Sequence, residues 1–315
     1  MVEKIFPNKD NLRRAAELIR AGKLVAFPTE TVYGLGANAL DACAVERIFA
    51  AKGRPSTSPL IVHVDSAAMA RELVERWPDA AEALAARYWP GPLTLVLPKR
   101  PLIPDVVTAG LATAGLRVPA HPVALDLIRE SGVPIAAPSA NRFTQLSPTT
   151  AEHVRESLGD SVDLILDGGQ TTVGIESTVL SLVDDCPVLL RPGMVTQIDI
   201  EALIGPVEIA GRIENGAHPS PGMHRRHYSP RTRLVLVGSG ALPEGRGAYL
   251  WVSRFIPAPK AILMPQTAAA YASALYDTLH RLDSEGWEWI AVERPPAGPE
   301  WAGINDRLER AAARG

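Results

Sequence analysis

Short apolar runs separated by polar or Pro/Gly-rich breaks recur through the first part of the chain. They predict strands at 24–27 (LVAF), 60–64 (LIVHV), 93–97 (LTLVL), 115–119 (GLRVP), 134–138 (PIAAP), 163–167 (DLILD), 177–183 (STVLSLV) and 187–191 (PVLLR). Brief apolar stretches bounded by turn signals read this way. Helix-period stretches lie between several of them: AVERIFAA, AAMARELVERW, HPVALDLIRES and TTAEHVRESLG. The last follows Ser147-Pro148-Thr149, a reasonable helix start. STVLSLV and PVLLR, joined by the polar turn DDC, read as a hairpin. Strands mixed with helices, plus a hairpin, predict an α/β or α+β sheet with antiparallel members.

The pattern breaks at 205–232, GPVEIAGRIENGAHPSPGMHRRHYSPRT, where Gly, Pro and polar residues crowd without an apolar period, as in a linker. A second unit starts at RLVLVG (233–238) and runs through AYLWVS, AILMP and a helix across TAAAYASALYDTLHRLDSEG. Strand WIAVE and a helix near NDRLERAAA close it. The expected organisation is a domain at 1–204, a linker at 205–232 and a small α/β domain at 233–315, its helices set against a parallel sheet.

Composition adds limits. The 315 residues are enough for two domains, and 46% apolar with 21% charged content is ordinary for a globular protein. A net charge of −3 supplies no bulk attraction to nucleic acid or an acidic membrane. Cys43 and Cys186 show no metal or redox spacing and are expected to be buried thiols in a reducing cytosol. The opening MVEKIFPNKD has no apolar core of a signal peptide, and no apolar run is long enough to span a membrane, so a cytoplasmic location is expected.

Candidate chemistry begins at KGRPSTSPL (52–60), where Lys52 and Arg54 bring two cations within reach of one polyanion. There is no GxxxxGK[ST], and GLGANA (34–39) lacks the spacing of a dinucleotide fingerprint, so bound phosphates would rest on side chains and helix N-termini. FPTETVYGLGANA follows a strand with Thr29, Glu30, Thr31 and Tyr33, then glycines that let backbone approach a ligand. PSAN places Ser139 and Asn141 at a strand end, GIESTV places Glu176, Ser177 and Thr178 before a strand, and LLRPG ends a strand with Arg191. Polar strand ends in an α/β sheet commonly line a ligand crevice. Taken singly, each is ordinary: a basic turn, an Asn turn, a surface ion pair.

Taken in order, PTETVYGLG, the KxR of KGRPSTSPL, SPLIVH, WPGPLTLVL, GLRVP, APSAN, GIESTV, RPG and SPGMHRRHYSP resemble the threonylcarbamoyl-AMP synthase family in its two-domain form. The resemblance implies a YrdC-like twisted mixed sheet with helices, followed by a linker and a small Rossmann-like α/β domain. It implies an enzyme, a nucleotidyltransferase, that joins L-threonine and bicarbonate or CO2 to AMP from ATP and releases pyrophosphate. The L-threonylcarbamoyladenylate would feed a partner transferase that modifies tRNA beside the anticodon; a weak contact with tRNA itself is left open. Mg2+ would accompany ATP, with no tightly bound protein metal. Threonine would be held by Thr31, His63, Arg117, the backbone of Ala137, and Ser177. ATP would be held by Lys52, Arg54, Ser58, Thr113, Ser139, Asn141, Ser147, Arg191 and Tyr228, with Lys52 and Arg54 as catalytic cations on the phosphates.

These residue types suit the chemistry independently. Arg117 offers a planar, permanent cation for a carboxylate, and His63 can hydrogen-bond a small hydroxyl, though a lone histidine there is more often part of the core. No convincing catalytic carboxylate stands out, so positioning would supply most of the rate. Three readings stay open for MHRRHYSPR: a metal cluster of His218, His224 and His227, an Arg–aromatic RNA patch, and, preferred, a lid that brings Tyr228 to ATP. The rivals for the whole chain are a non-catalytic RNA-binding protein and a carbamoyl transferase. The acidic net charge argues against the first, and the lack of acylphosphatase and zinc-finger-like segments against the second.

Overall fold

The computed structural model describes residues 2–211, 227–238 and 240–313. The larger sheet comprises β1 (Lys4–Ile5), β2 (Val25–Phe27), β3 (Gly34–Asn38), β4 (Ile61–His63), β5 (Leu93–Pro98), β6 (Thr113–Arg117), β7 (Ile135–Ala136), β8 (Leu164–Leu166), β9 (Thr178–Ser181), β10 (Val188–Arg191) and β11 (Glu208–Ile209). Their order is β1-β8-β2-β3-β7-β4-β6-β5-β9-β10-β11, with parallel and antiparallel pairs mixed. Every apolar run read as a strand is one, and β9 and β10 form the expected antiparallel hairpin.

Alternation along the central strands explains the layering. Val25, Phe27, Ile135, Leu164 and Leu166 face one side, under the helices Lys9–Arg20 and Pro122–Ser131 with Ile19, Leu127 and Ile128. Ala26, Ala136 and Ile165 face the other, with Val45, Ile48 and Leu84 from the helices Ala42–Lys52 and Asp79–Tyr88. Both faces are covered, so these strands read as continuous apolar runs. The AAMARELVERW helix is shorter than expected, Ala67–Glu72. Leu73 and Val74 are both buried and Val74 bridges Lys99, which turns the chain out of the helix.

β3 escaped the sequence reading because GLGAN lacks β-formers. A Cβ on Gly36 would sit 2.7 Å from Phe27 Cε1 and 2.8 Å from Ile135 Cγ2, so this glycine admits a neighbouring ring and not a ligand. The cysteines also depart from expectation: Cys43 and Cys186 are free and exposed, Cys43 on the outer first turn of its helix and Cys186 at the hairpin turn.

The second sheet contains β12 (Arg233–Val237), β13 (Gly247–Trp251), β14 (Lys260–Leu263) and β15 (Trp289–Glu293), all parallel in the order β12-β15-β13-β14. The helices Ala268–Ser284 and Ala302–Ala312 cover one face through Leu275, Leu279, Ile304 and Leu308. Among the described residues, the β12–β13 and β13–β14 connections carry no helix. Leu242, Ile256 and Ala258 from these loops cover the other face over Tyr249, Trp289 and Ala291.

The two sheets meet through a shared core in which Val32, Leu146 and Ile175 join Tyr271, Tyr276 and Leu279. His153 stacks on His280 at 3.9 Å, and His280 Nε2 donates to Ser147 O at 3.0 Å. Glycines permit the closest approach. A Cβ on Gly174 would lie 2.4 Å from Ala272 O, and one on Gly303 would lie 2.8 Å from Gly193 Cα. Gly174 also has φ +81°, a left-handed conformation that suits glycine. Gly174→Ala should therefore lower thermal stability by more than the roughly 1–3 kcal/mol of ordinary overpacking, and thermal scans should show it. A Tm equal to the parent's would mean that this backbone contact is loose.

Candidate active site

Four strand ends and the turns behind them converge on one cavity. β4 ends in His63, β6 in Arg117 and β10 in Arg191, while β7 leads into Ala137, Pro138 and Ser139. Thr29 and Thr31 line it from the turn between β2 and β3 and Gly34 from the start of β3, with Arg54, Glu176, Ser177, His227 and Tyr228 completing the wall. The cavity volume is about 50 Å³, and the cavity is partly open to solvent. Sites that enclose larger ligands run to roughly 300–1,000 Å³, so this one is small.

Arg117, 3% exposed, donates through Nε to Gly91 O (3.1 Å) and through Nη2 to Thr31 Oγ1 (3.0 Å), and Nη2 lies 2.7 Å from Glu30 Oε1. Glu30 Oε2 in turn accepts from Ala120 N at 3.0 Å. Thr29 and Thr31 share a hydrogen bond at 2.8 Å, which fixes the turn that carries both. Beside them His63 is buried, its ring edge-on to Phe27, and its Nδ1 has no hydrogen-bond partner. Burial first, then the adjacent Arg117 cation, pushes the His63 pKa down to about 3, so the ring is neutral at ordinary pH.

The opposite wall is cationic. Arg191 donates from Nε to Ser177 O (3.0 Å) and from Nη2 to Ser177 Oγ (3.1 Å), and Ser177 Oγ pairs with Thr94 Oγ1 at 2.9 Å. Arg54 donates through Nη2 to Ser58 Oγ (2.5 Å) and Pro59 O (3.0 Å), with its guanidinium 5.7 Å from the Phe143 ring centre. Burial pushes the Arg54 pKa down to about 10; Tyr228 opposes this and the neighbouring Arg191 cation adds to it. Two buried guanidiniums that repel each other form a site that favours an anion.

Of the residues expected at the site, Thr31, Arg54, His63, Arg117, Ala137, Ser139, Ser177, Arg191 and Tyr228 line the cavity. The others stand behind it. Lys52 is the last residue of its helix and not part of the loop as read from the sequence; its Nζ donates to Ser139 O at 2.5 Å and to Asn141 O. Its pKa is well below the ordinary lysine value, chiefly through burial and then through Arg54. Ser58 anchors Arg54, and Asn141 Nδ2 donates to Arg142 O (2.8 Å) and Gln145 O (2.9 Å). Ser147 Oγ donates to Glu176 Oε1. Thr113 begins β6, about 13 Å of strand away from Arg117 at its end. His218 and His224 lie outside the described residues, as does the 212–226 stretch of the proposed linker.

The sequence reading missed Arg307 and Tyr276, which reach the site from the second unit. Arg307 Nε donates to Glu176 Oε2 at 2.7 Å, and Tyr276 Oη donates to the same oxygen at 3.1 Å. No local motif marks either residue; only the tertiary docking brings them there.

Residues 17–193 match the family model described as "Telomere recombination", and residues 195–313 match that of the "Threonylcarbamoyl-AMP synthase, C-terminal domain". The chain is 42% identical to the threonylcarbamoyl-AMP synthase of Bacillus subtilis over 99% of this chain and 96% of that one. It is also 42% identical to the Pyrococcus abyssi threonylcarbamoyl-AMP synthase, over 96% of this chain and 94% of that one. The crystal structure of P. abyssi Sua5 complexed with L-threonine superimposes with a TM-score of 0.91 at 40% identity, covering 99% of this chain and 97% of that one. Fold and site together define a transferase with a YrdC-like sheet and a second α/β unit docked on it. The chain belongs to the threonylcarbamoyl-AMP synthase family.

The neutral state of His63 has a consequence for stability. Its folded pKa, about 3, lies below the unfolded value of 6.5, so its contribution is complete above pH 6.5 and is lost as pH falls toward 3. His63→Asn should flatten the stability–pH curve between pH ~6 and ~4 by up to about 1.4 kcal/mol per pH unit. Urea titrations across that range check this. An unchanged slope would mean that His63 is protonated in the folded protein.

Proposed function

We propose that this chain makes L-threonylcarbamoyladenylate from L-threonine, bicarbonate or CO2, and ATP, with release of pyrophosphate. One observation carries the reading: buried Arg54, Arg117 and Arg191 converge on one small cavity beside an unpartnered His63 Nδ1 and an unpartnered Tyr228 hydroxyl. A substrate pair presenting a carboxylate, a small hydroxyl and a phosphate chain matches that lining. The threonine complex of the P. abyssi relative supports the same assignment.

In this reading the Arg117 guanidinium and Thr31 hold the threonine carboxylate, and His63 takes the side-chain hydroxyl. Arg54 and Arg191 attract the phosphates, and Ser139 and Ser177 supply short hydroxyl contacts. Lys52 acts indirectly, holding the Ser139 and Asn141 carbonyls in place. The threonine amine, with an α-amino pKa near 8, adds to CO2 and gives up a proton. A carbamate oxygen then attacks the α-phosphorus, an oxygen–phosphorus bond forms, and the α–β bridge breaks to release pyrophosphate. The fixed cations stabilise charge moving onto that leaving group.

Mg2+ enters as part of the MgATP substrate. Glu176, on the cavity, already faces Arg307, and Glu30, behind the lining, faces Arg117, so phosphate oxygens and water would hold the metal. The cavity itself is small, so most of the nucleotide would extend out of its open side, with Tyr228 closing over it as a lid. The adenylate would be consumed by a partner transferase acting on tRNA adenosine beside the anticodon.

Pyrophosphate release with threonine, serine or valine, each with and without bicarbonate, tests this. Serine lacks one methyl and should lose about 10- to 200-fold, whereas valine, which leaves the hydroxyl partners unpaired, should lose on the order of 10⁴-fold. Equal release with valine, or full activity in CO2-free buffer, would show a different reaction.

A further inference from the structure

The closure over the cavity rests on the second unit. Tyr228 is buried with φ +59°, a conformation unfavourable for a bulky side chain and kept only where its surroundings impose it. Those surroundings come from the first unit, from the Tyr276 ring 6.1 Å away, and from the last helix, Ala302–Ala312. The Arg307 guanidinium carbon lies 5.2 Å from the Tyr228 ring centre. Two carbonyls near the helix C-terminus, which have no partner within the helix, take up the flanking residues. His227 N donates to Arg310 O at 3.4 Å, and Ser229 Oγ donates to Ala311 O at 3.2 Å. From the first unit, Ser229 N donates to Thr144 O at 2.9 Å, and Thr144 itself has φ +67°.

Arg307 is itself held from the first unit. Beyond Glu176 Oε2, it donates from Nη2 to Glu176 O (3.1 Å) and from Nη1 to Pro192 O (3.0 Å). These acceptors belong to the GIESTV and RPG stretches, whose Ser177 and Arg191 line the cavity. One guanidinium therefore donates to the wall of the site while its central carbon lies over the ring of the covering tyrosine. Lysine has neither the fork nor the plane to do both.

We propose that Arg307 is a positioning residue of the active site: it latches Tyr228 over the cavity from the last helix of the second unit. The latch rests on the functional reading above only for the identity of the ligand it encloses. Its role is to keep Tyr228 in the strained, closed conformation while nucleotide is bound, and so to slow nucleotide loss.

Hydrogen exchange on the full-length protein tests the latch without nucleotide. The His227 and Ser229 amides should exchange at least about tenfold faster in Arg307→Lys and Arg307→Met, with β2 and β9 amides unchanged. Should the Met variant fail to fold, the Lys variant, which keeps the charge beside Glu176, carries the test. Affinity for α,β-methylene-ATP should fall about tenfold in Arg307→Lys while threonine affinity stays within about twofold. On a Tyr228→Leu background the Lys substitution should cause no further loss of nucleotide affinity. Unchanged exchange at Ser229, equal losses for threonine and nucleotide, or additive losses in the double variant would overturn the assignment. If the unaltered protein bound no nucleotide analogue, the functional reading would fall, and the exchange result alone would decide the latch.

Discussion

The ion pair between Glu176 and Arg307 is the contact on which the rest of the molecule depends. Both side chains are nearly free of solvent, at 9% and 0% exposure. Removing two charges from water costs several kcal/mol per ion, and attraction offsets this only when every remaining polar atom is also satisfied. Here Glu176 also accepts from Ser147 Oγ and Tyr276 Oη, while Arg307 reaches Pro192 O, Glu176 O and Asp306. Burial alone would depress the Arg307 pKa, but Tyr228, Glu176 and Asp306 more than reverse that, and the guanidinium stays charged. What such a pair supplies is a single geometry: a docking displaced by an ångström would leave a buried charge unpaired.

That geometry matters because the cavity beside it gathers like charge. Arg117 and Arg191 sit on strand ends of one sheet and Arg54 just beyond a helix end, all buried. Burial is the leading cause that depresses the Arg54 and Arg191 pKa values; the Arg191 cation adds to it at Arg54, and the Arg307 cation adds to it at Arg191. The protein holds this arrangement with neutral acceptors, such as Ser58 Oγ, Pro59 O and Ser177 O, so that much of the positive potential remains for a bound anion. Glu30 is a charged partner of Arg117. It orients that guanidinium while Thr31 and Gly91 fix the other contacts.

Much of this was legible in the sequence. Continuous apolar runs such as LIVHV and LTLVL marked the strands because both faces of the sheet are covered. The ordered polar strand ends marked the cavity, since a folded sheet brings its strand ends together whatever their separation along the chain. What failed was the inference from residue type to exposure. Lys52 looked like a loop cation seeking phosphate, yet it ends a helix and clamps two carbonyls of the PSAN turn. The glycines of GLGANA looked like space for a ligand, yet Gly36 is space for Phe27. Thr113 stands at the wrong end of its strand for the cavity. Arg307 could not be found at all, because its partner is 131 residues away and nothing in NDRLERAAA distinguishes it from a helix-surface arginine.

The second unit raises one remaining question, since a small parallel sheet commonly binds ligands at the carboxyl ends of its strands. Here that crevice already holds an anion belonging to the chain. Glu293, at the end of β15, accepts from the backbone N–H groups of Val252 (2.6 Å), Ser253 (3.0 Å) and Arg254 (3.1 Å), and from Ser253 Oγ at 2.5 Å. Successive N–H groups turned toward one point are the arrangement that elsewhere captures phosphate. With a carboxylate in place, a phosphate would meet both an occupied donor set and a like charge. The helix-free crossovers reinforce this, because no helix N-terminus follows β12 or β13 among the described residues to receive a pyrophosphate. The sheet resembles a nucleotide-binding layer in outline only. Its chemistry is directed instead to the face where Tyr276, His280 and Arg307 meet the first unit, and there the second unit completes the wall of a site it does not itself contain.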